Sequence, residues 1–457
     1  SSTRLPRTGA DVLKKSGHVP YVVAFRGPRM YKVRLFSETA SGLGPKGDPG
    51  CVPLSAAEIE AQFRAILKEP RVSYEKEPPV AALTGWTRDE WAHTRARMEQ
   101  DPASAAGLRM IDEALFTITL DEAKPELSGS DTDPDTSGHE ALSRAMLHGD
   151  CRNRWWDKSF NLIVCENGRA GIAWEHAWGD GVAVLNFFNE VHKAVQKIPA
   201  RDPVPASTAE RIEVPVDDAT AADIAAACKM NDDRIARVDL NVYRSNSLNR
   251  SHVKESKLGP DGLCQLVLQL AHWRAHRYVP STYESASTAG FKHGRTETIR
   301  SATPQTLAVC KAFDDATVDD VARFKLVQEA TARHGKQARE CMMGKGVDRH
   351  LLALEHYAKE QGLTPALFDD KTWDVMCDIR LSTSTLSSPN LEGGGFGPVS
   401  DTSYGVGYGI EDHGMQLHIM SYGQGNDEFI KAVEDSCQDL QRCMEAGKDA
   451  GLAKSQE

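Results

Sequence analysis

The sequence lacks any spacing that would pair its cysteines. Cys51, Cys151, Cys165, Cys228, Cys264, Cys310, Cys341, Cys377, Cys437 and Cys443 are scattered, and no two form a CxxC unit. That speaks against a disulfide framework, fits a reducing compartment, and makes a zinc site unexpected. A basic excess is also missing: 54 Lys and Arg stand against 65 Asp and Glu, for a net charge of -11. No nucleic-acid partner is expected, although one local basic pocket for a phosphorylated ligand is compatible with this balance. No apolar run approaches the roughly 20 residues that span a bilayer, which argues against an integral membrane protein and leaves peripheral contact open. There is no fixed-period repeat and no intact transit peptide, and the final Lys454-Ser455-Gln456-Glu457 is not a peroxisomal address. The chain opens on Ser1-Ser2-Thr3 and reads as processed or as a piece of a longer protein.

What is present fits a globular protein of two or three domains: 457 residues, 40% hydrophobic and 26% charged. Tyr21–Phe25 and Met30–Phe36 flank Arg26-Gly27-Pro28-Arg29 as a hairpin. Ser55 caps a helix over 56–67, and Thr87 precedes a polar helix through Met98. The acidic stretch between Glu122 and Glu140 reads as a mobile surface insertion with no catalytic role, and Ile198–Ser207, with three prolines, as a linker. In the second half, strands at 236–242, 278–284, 379–386, 407–411 and 416–421 interleave with helices at 261–275, 304–312, 318–333, 351–360 and 427–446. That alternation predicts an α/β protein on mixed sheets.

The informative segment begins at Phe160. Two apolar runs, Phe160–Cys165 and Ala170–Glu175, flank Asn167-Gly168, a hairpin-turn pair. The second run leads into His176-Ala177-Trp178-Gly179-Asp180-Gly181, followed by a helix over 182–197. His176 thus stands where a strand ends, as part of an HxxxDG pattern. A neutral imidazole there can take a proton from a hydroxyl or thiol. A hydrogen-bonded histidine at a strand end satisfies the same pattern, and the motif alone leaves both readings open.

Other segments decide between them. Asn153-Arg154-Trp155-Trp156-Asp157-Lys158-Ser159-Phe160 precedes the hairpin. Thr282-Tyr283-Glu284-Ser285-Ala286-Ser287, Gly294-Arg295-Thr296-Glu297-Thr298-Ile299-Arg300, Asp348-Arg349-His350, Ser382-Thr383-Ser384-Thr385 and Gly395-Phe396-Gly397-Pro398 follow it. Together with HAWGDG, and in this order, they resemble the carnitine/choline acyltransferase family, most closely its long-chain type II branch, from about Arg4 to the C-terminus. The resemblance implies two chloramphenicol-acetyltransferase-like α/β halves, mixed sheets flanked by helices, with a tunnel at their interface. The halves are expected at 1–212 and 213–457, the first lacking a helical segment that relatives carry before it.

The implied activity is reversible transfer of a long or medium fatty acyl group between coenzyme A and L-carnitine. His176 would act as general base, without an acyl-enzyme. No Ser or Cys nucleophile signature is present to make one. Ser384 would donate to the oxyanion, and Asp180, with Gly181 beside it, would pair with Arg295 to hold the catalytic loop. The carnitine set falls on Tyr283, Ser285, Thr296, Arg349 and Ser382, the CoA set on Arg250, Lys254 and Asp261. Glu255 and Ser256 stand where close relatives carry lysines. Gly394 leaves room for a long acyl chain where a bulkier side chain would close the pocket. Each of these, taken singly, has a structural alternative: a surface ion pair for Arg349, a solvated basic loop at 249–257, a flexible turn at 393–395. Choline is disfavoured as acceptor because Thr296, Thr298 and Arg349 suit a carboxylate that choline lacks. No permanently bound cofactor and no metal are implied. Acyl-CoA serves as co-substrate. The expected protein is a monomer with peripheral membrane association, on the matrix side of the inner mitochondrial membrane rather than in peroxisomes. Short- or medium-chain transfer, or an inactive truncated relative, are the alternatives.

Overall fold

The computed structural model describes residues 2–15, 19–37, 52–127, 135–197, 207–385, 387–412 and 414–453. The chain forms two compact units that are discontinuous in sequence. One comprises 1–126, 144–179 and 190–237, the other 127–143, 180–189 and 238–457.

The first unit holds a two-stranded ribbon, β1 (Ser2–Leu5) against β2 (Val12–Lys15), and a six-stranded mixed sheet. The sheet strands are β3 (Tyr21–Arg26), β4 (Arg29–Arg34), β5 (Thr117–Asp121), β6 (Phe160–Cys165), β7 (Ala170–Trp174) and β8 (Glu210–Ile212), in the order β7-β6-β5-β3-β4-β8. Both faces of β3 are covered, as a central strand requires. Tyr21, Val23 and Phe25 join Trp91, Leu108 and Trp155 in one core cluster, whereas Val22 and Ala24 join Ile66 and Ile118 in another. The helix Ala56–Lys68 on the latter side has a full capping box between Ser55 and Glu58.

The second unit carries β9 (Asp239–Ser245), β10 (Thr282–Ser287), β11 (Thr296–Ile299), β12 (Leu381–Thr385), β13 (Tyr404–Ile410) and β14 (Met415–Ser421), ordered β11-β10-β12-β13-β14-β9. Read across, β7/β6 and β11/β10 are antiparallel, the next two pairs in each sheet are parallel, and the last two are antiparallel. The two sheets therefore repeat one orientation pattern, as expected for an α/β chain of two similar halves. Helix Pro260–His276 is buried along most of its length within the core of this unit, among Leu263, Val267, Phe324, Phe429 and Val433.

The units do not follow a single break at 212/213. Helix Asp218–Ala236 stays with the first because Ile224 and Ala227 complete its Trp91–Trp155 cluster. The acidic stretch needs correction at its C-terminal end. Residues 128–134 lie outside the described residues, but helix Ser137–Leu147 begins within the stretch. Its His139 is buried, and Glu140 accepts from the Val242 amide at 3.2 Å, so this end is built into the second unit. Residues 198–206 of the expected linker also lie outside the described residues. The described cysteines are all free.

The Asn153–Phe160 motif is a buried charge scaffold. Arg154 is fully buried and donates to Asp121 at 2.9 Å, and Asp157 accepts from Trp91 Nε1 at 2.8 Å and faces Arg88 at 2.7 Å. Lys158 is also fully buried, and its Nζ donates to Thr3 Oγ1 at 2.8 Å and to the Asp112 carbonyl. Burial pushes its pKa down from 10.5 to about 7. Between those values the unfolded chain binds the proton that the folded chain lacks, so this group makes stability rise with pH from about 7 towards 10.5. Lys158→Met is expected to remove that rise, which stands for on the order of a few kcal/mol. Urea denaturation of both proteins at pH 7 and pH 9 checks it, and equal pH slopes would contradict it.

Candidate active site

His176 follows β7 directly. The hairpin that carries it is closed by Glu166-Asn167-Gly168-Arg169, with Gly168 at φ +84°, a conformation that favours glycine. The loop is fastened on both sides of the histidine. The Glu175 amide donates to the Ser159 carbonyl at 3.0 Å, and Trp178 Nε1 donates to the same carbonyl at 2.6 Å. The Ala177 amide donates to the Glu175 carboxylate at 2.9 Å. His176 itself is exposed, its ring 5.4 Å from that of Trp174. A fixed loop thus presents an accessible imidazole.

In the second unit, strand alternation collects the motif residues on one sheet face. Tyr283 and Ser285 share a face of β10, and register places Tyr283 beside Ser382 and Ser285 beside Thr298. Thr296 and Thr298 lie on the same face of β11, and Ser382 and Ser384 on the same face of β12. Thr298 is 2% exposed, and its hydroxyl has no hydrogen-bond partner among the described residues.

Arg349 stands at the start of helix Asp348–Glu360, which is fixed by a two-pronged pair between Arg300 and Asp348. Its guanidinium donates to Tyr283 Oη at 3.0 Å and to Thr296 Oγ1 and carbonyl at 3.2 Å each, and lies over the Tyr283 ring. Its amide donates to Glu297 at 3.3 Å. The arrangement is a half-filled donor fork, open to a carboxylate.

Asp180 and Arg295 meet in a two-pronged pair at 2.9 and 3.2 Å, with Gly181 opening helix Gly181–Val195 next to it. Both side chains are partly exposed, so the pair contributes little stability. The residues of the CoA set stand on two successive helices. Arg250 donates to the Ile410 carbonyl, Ser387 and Glu411, while Lys254 is exposed on the short helix Arg250–Glu255. Asp261, at the start of helix Pro260–His276, accepts from Tyr408 Oη at 2.6 Å.

That last contact opens a buried network on the opposite sheet face, which the sequence reading missed. Tyr408 Oη also reaches Glu284 at 3.3 Å, and Glu284 accepts from Ser301 at 2.9 Å and meets His334 Nε2 at 2.8 Å. Asp261, Glu284 and His334 bring potential ligand atoms within 4.8 Å of one another, a geometry that could hold a cation. Each is already engaged in hydrogen bonds. Burial pushes Glu284 up, and Glu284 holds His334 up against the opposing effect of burial, as for two groups sharing one proton. The signal in the sequence was Glu284 alternating with Tyr283 and Ser285.

Gly394 lies in a backbone segment laid directly on β13. An added Cβ at Gly407 would collide with the Gly394 carbonyl, and one at Gly405 would come 2.6 Å from the Phe396 carbonyl. Gly405 and Gly407 are the register partners of Ser382 and Ser384, so the segment seats beside those serines on the same face.

The sequence pattern of the choline/carnitine O-acyltransferase family matches residues 1–437, and the chain belongs to that family. Curated relatives include "Carnitine O-palmitoyltransferase 2, mitochondrial" of Homo sapiens and of Macaca fascicularis. Each is 35% identical over 460 residues, covering 97% of this chain and 66% of the relative. The muscle isoform of carnitine O-palmitoyltransferase 1 of Homo sapiens is 29% identical, covering 92% of this chain and 55% of its own length. The chain therefore spans just under two thirds of the type 2 relatives. Among solved structures, a condensation domain of the enacyloxin polyketide synthase aligns at TM-score 0.36 and 11% identity, covering 72% of this chain and 69% of that one. That likeness is too distant for any residue to be carried over. No helix among the described residues is long and apolar enough to cross a membrane.

Proposed function

We propose that this chain transfers a medium or long fatty acyl group reversibly between coenzyme A and the hydroxyl of L-carnitine. The observation that carries the reading is the Tyr283–Thr296–Arg349 group, a guanidinium and two hydroxyls converging within 3.2 Å on the face that bears Ser382 and Ser384. Such a fork suits the carnitine carboxylate. His176 removes the proton from the carnitine hydroxyl as its oxygen attacks the thioester carbonyl. The tetrahedral oxyanion accepts from Ser384 Oγ. Collapse breaks the carbon–sulfur bond, and the leaving thiolate takes the proton back from the imidazolium. The acyl group ends on carnitine, no residue is acylated, and in reverse His176 activates the CoA thiol. Arg250, Lys254 and Asp261 serve the CoA side, Ser285 and Ser382 the carnitine side, and Gly394 leaves the acyl chain its room. The setting is mitochondrial fatty acid oxidation on the matrix side of the inner membrane, with a monomer in peripheral contact with it.

Offered palmitoyl-CoA, the chain is expected to use L-carnitine at least ~100-fold better than choline in kcat/KM, from the loss of a charge-assisted pair. Equal use of choline would overturn the role given to Arg349.

The same reading assigns the Asp180–Arg295 pair to holding the loop four residues beyond His176. Asp180→Asn is expected to lower kcat about 10- to 100-fold with little change in thermal stability, and the swapped pair Asp180→Arg with Arg295→Asp to recover part of it. Full activity in Asp180→Asn would contradict this.

A further inference from the structure

Beneath the glycine segment stand His418 and its partners Ser143 and Gln416, polar side chains that the transfer chemistry does not use. Ser384, Gly407 and His418 are successive register partners across β12, β13 and β14. With strands about 4.8 Å apart, the imidazole stands two strands from the Ser384 hydroxyl on the same face, with the backbone of Gly394 lying over the bare strand between them. His418 is 6% exposed. Its Nδ1 lies 3.0 Å from Ser143 Oγ, and its Nε2 lies 2.7 Å from Gln416 Nε2. Gln416 Nε2 also donates to the Glu392 carbonyl, just before the glycines. An added Cβ at Gly393 would collide with His418 Nε2 and come within 2.6 Å of Gln416 Nε2. His418 thus fills the space against which the segment rests, and Gln416 ties that segment down. Burial, with His139 and Arg244 nearby, pushes the His418 pKa down to about 4, so the ring is neutral at ordinary pH. A neutral imidazole satisfied at both nitrogens can border an alkyl chain without stranding a charge.

We propose that His418, mounted between Ser143 and Gln416, is a specificity-determining residue for acyl-chain length: it sets the seat of the Gly393–Gly395 segment and closes the space beneath it. The proposal rests on the reading of this face as an acyl-transfer site. A chain that leaves the thioester carbonyl near Ser384 passes beside the Gly393–Gly395 backbone, whose height above the sheet the ring sets, and each methylene that cannot be accommodated there costs about tenfold or more in discrimination.

The test is kcat/KM for butyryl-, octanoyl-, lauroyl- and palmitoyl-CoA with L-carnitine, for the unaltered chain, His418→Ala and His418→Gln. His418→Ala is expected to raise the palmitoyl-to-octanoyl ratio about tenfold or more, while His418→Gln, which keeps polar bulk, leaves it within about twofold. A purely structural role would lower all chain lengths together. An unmoved ratio in folded, active His418→Ala overturns the proposal. Should His418→Ala fail to fold, Gln416→Ala, which frees the Glu392 carbonyl, is expected to shift the ratio the same way, and an unmoved ratio there overturns it equally. No acyl transfer by the unaltered chain at any length overturns the acyl-transfer reading itself, and this proposal with it. Transfer with an unmoved ratio overturns this proposal alone.

Discussion

His176→Ala is expected to lower kcat for acyl transfer roughly 10³- to 10⁴-fold while leaving the fold intact. The size follows from the upper range for a positioned general base, because the carnitine hydroxyl is a poor nucleophile until its proton is taken. The fold is spared because the ring is exposed, whereas the groups that hold its loop are Glu175, Trp178 and the Ser159 carbonyl. KM for both substrates should change little, since the imidazole acts on the transition state more than on either ground state. Circular dichroism and a melting curve matched to the unaltered chain establish folding. A folded variant that retains a tenth or more of the activity would contradict the assignment of the base.

The second large effect belongs to Arg349. Arg349→Gln is expected to lower kcat/KM for carnitine about 10²- to 10³-fold, mostly through KM, with KM for acyl-CoA within about twofold. The carboxylate is bound alike in ground and transition states, so its loss appears in binding. Removing one partner of a hydrogen-bonded charge pair costs about 2–5 kcal/mol. Arg349→Lys should recover little, because a point charge cannot reproduce the fork that serves Tyr283, Thr296 and a ligand together. Steady-state kinetics varying carnitine at saturating acyl-CoA measures this. An unchanged carnitine KM would remove the guanidinium from the site.

These effects trace to features with unequal legibility in the sequence. The β6–β7 hairpin was readable because Asn167-Gly168 is a local signal, and it fixed where His176 would stand. The sharing of one sheet face by Tyr283, Ser285, Thr296 and Ser382 follows from period-two alternation once the strands are placed. Which strands pair is non-local, however, and β11 was not recognised because its polar Thr-Glu-Thr pattern carries no apolar run. Helix Asp218–Ala236 was missed for a related reason: its alanine-rich sequence has little amphipathic contrast. The buried partners His334 and Tyr408 stand 50 and 124 residues along the chain from Glu284, a relation no local pattern carries. Lys158 likewise reads as a surface cation by type, and only the packing of Thr3 and Asp112 around it reveals its burial. The glycines at 405 and 407 are where the backbone of 394–397 rests on the sheet, a close approach that no local pattern announces.

One stoichiometric measurement bears most directly on the claim that a histidine-activated carnitine oxygen takes the acyl group. With palmitoyl-CoA and L-carnitine, thiol released and palmitoylcarnitine formed should rise together in a one-to-one ratio, with thiol release near zero when carnitine is left out. Thiol release at the same rate without carnitine would mean that water or a protein group accepts the acyl chain, and would contradict the account.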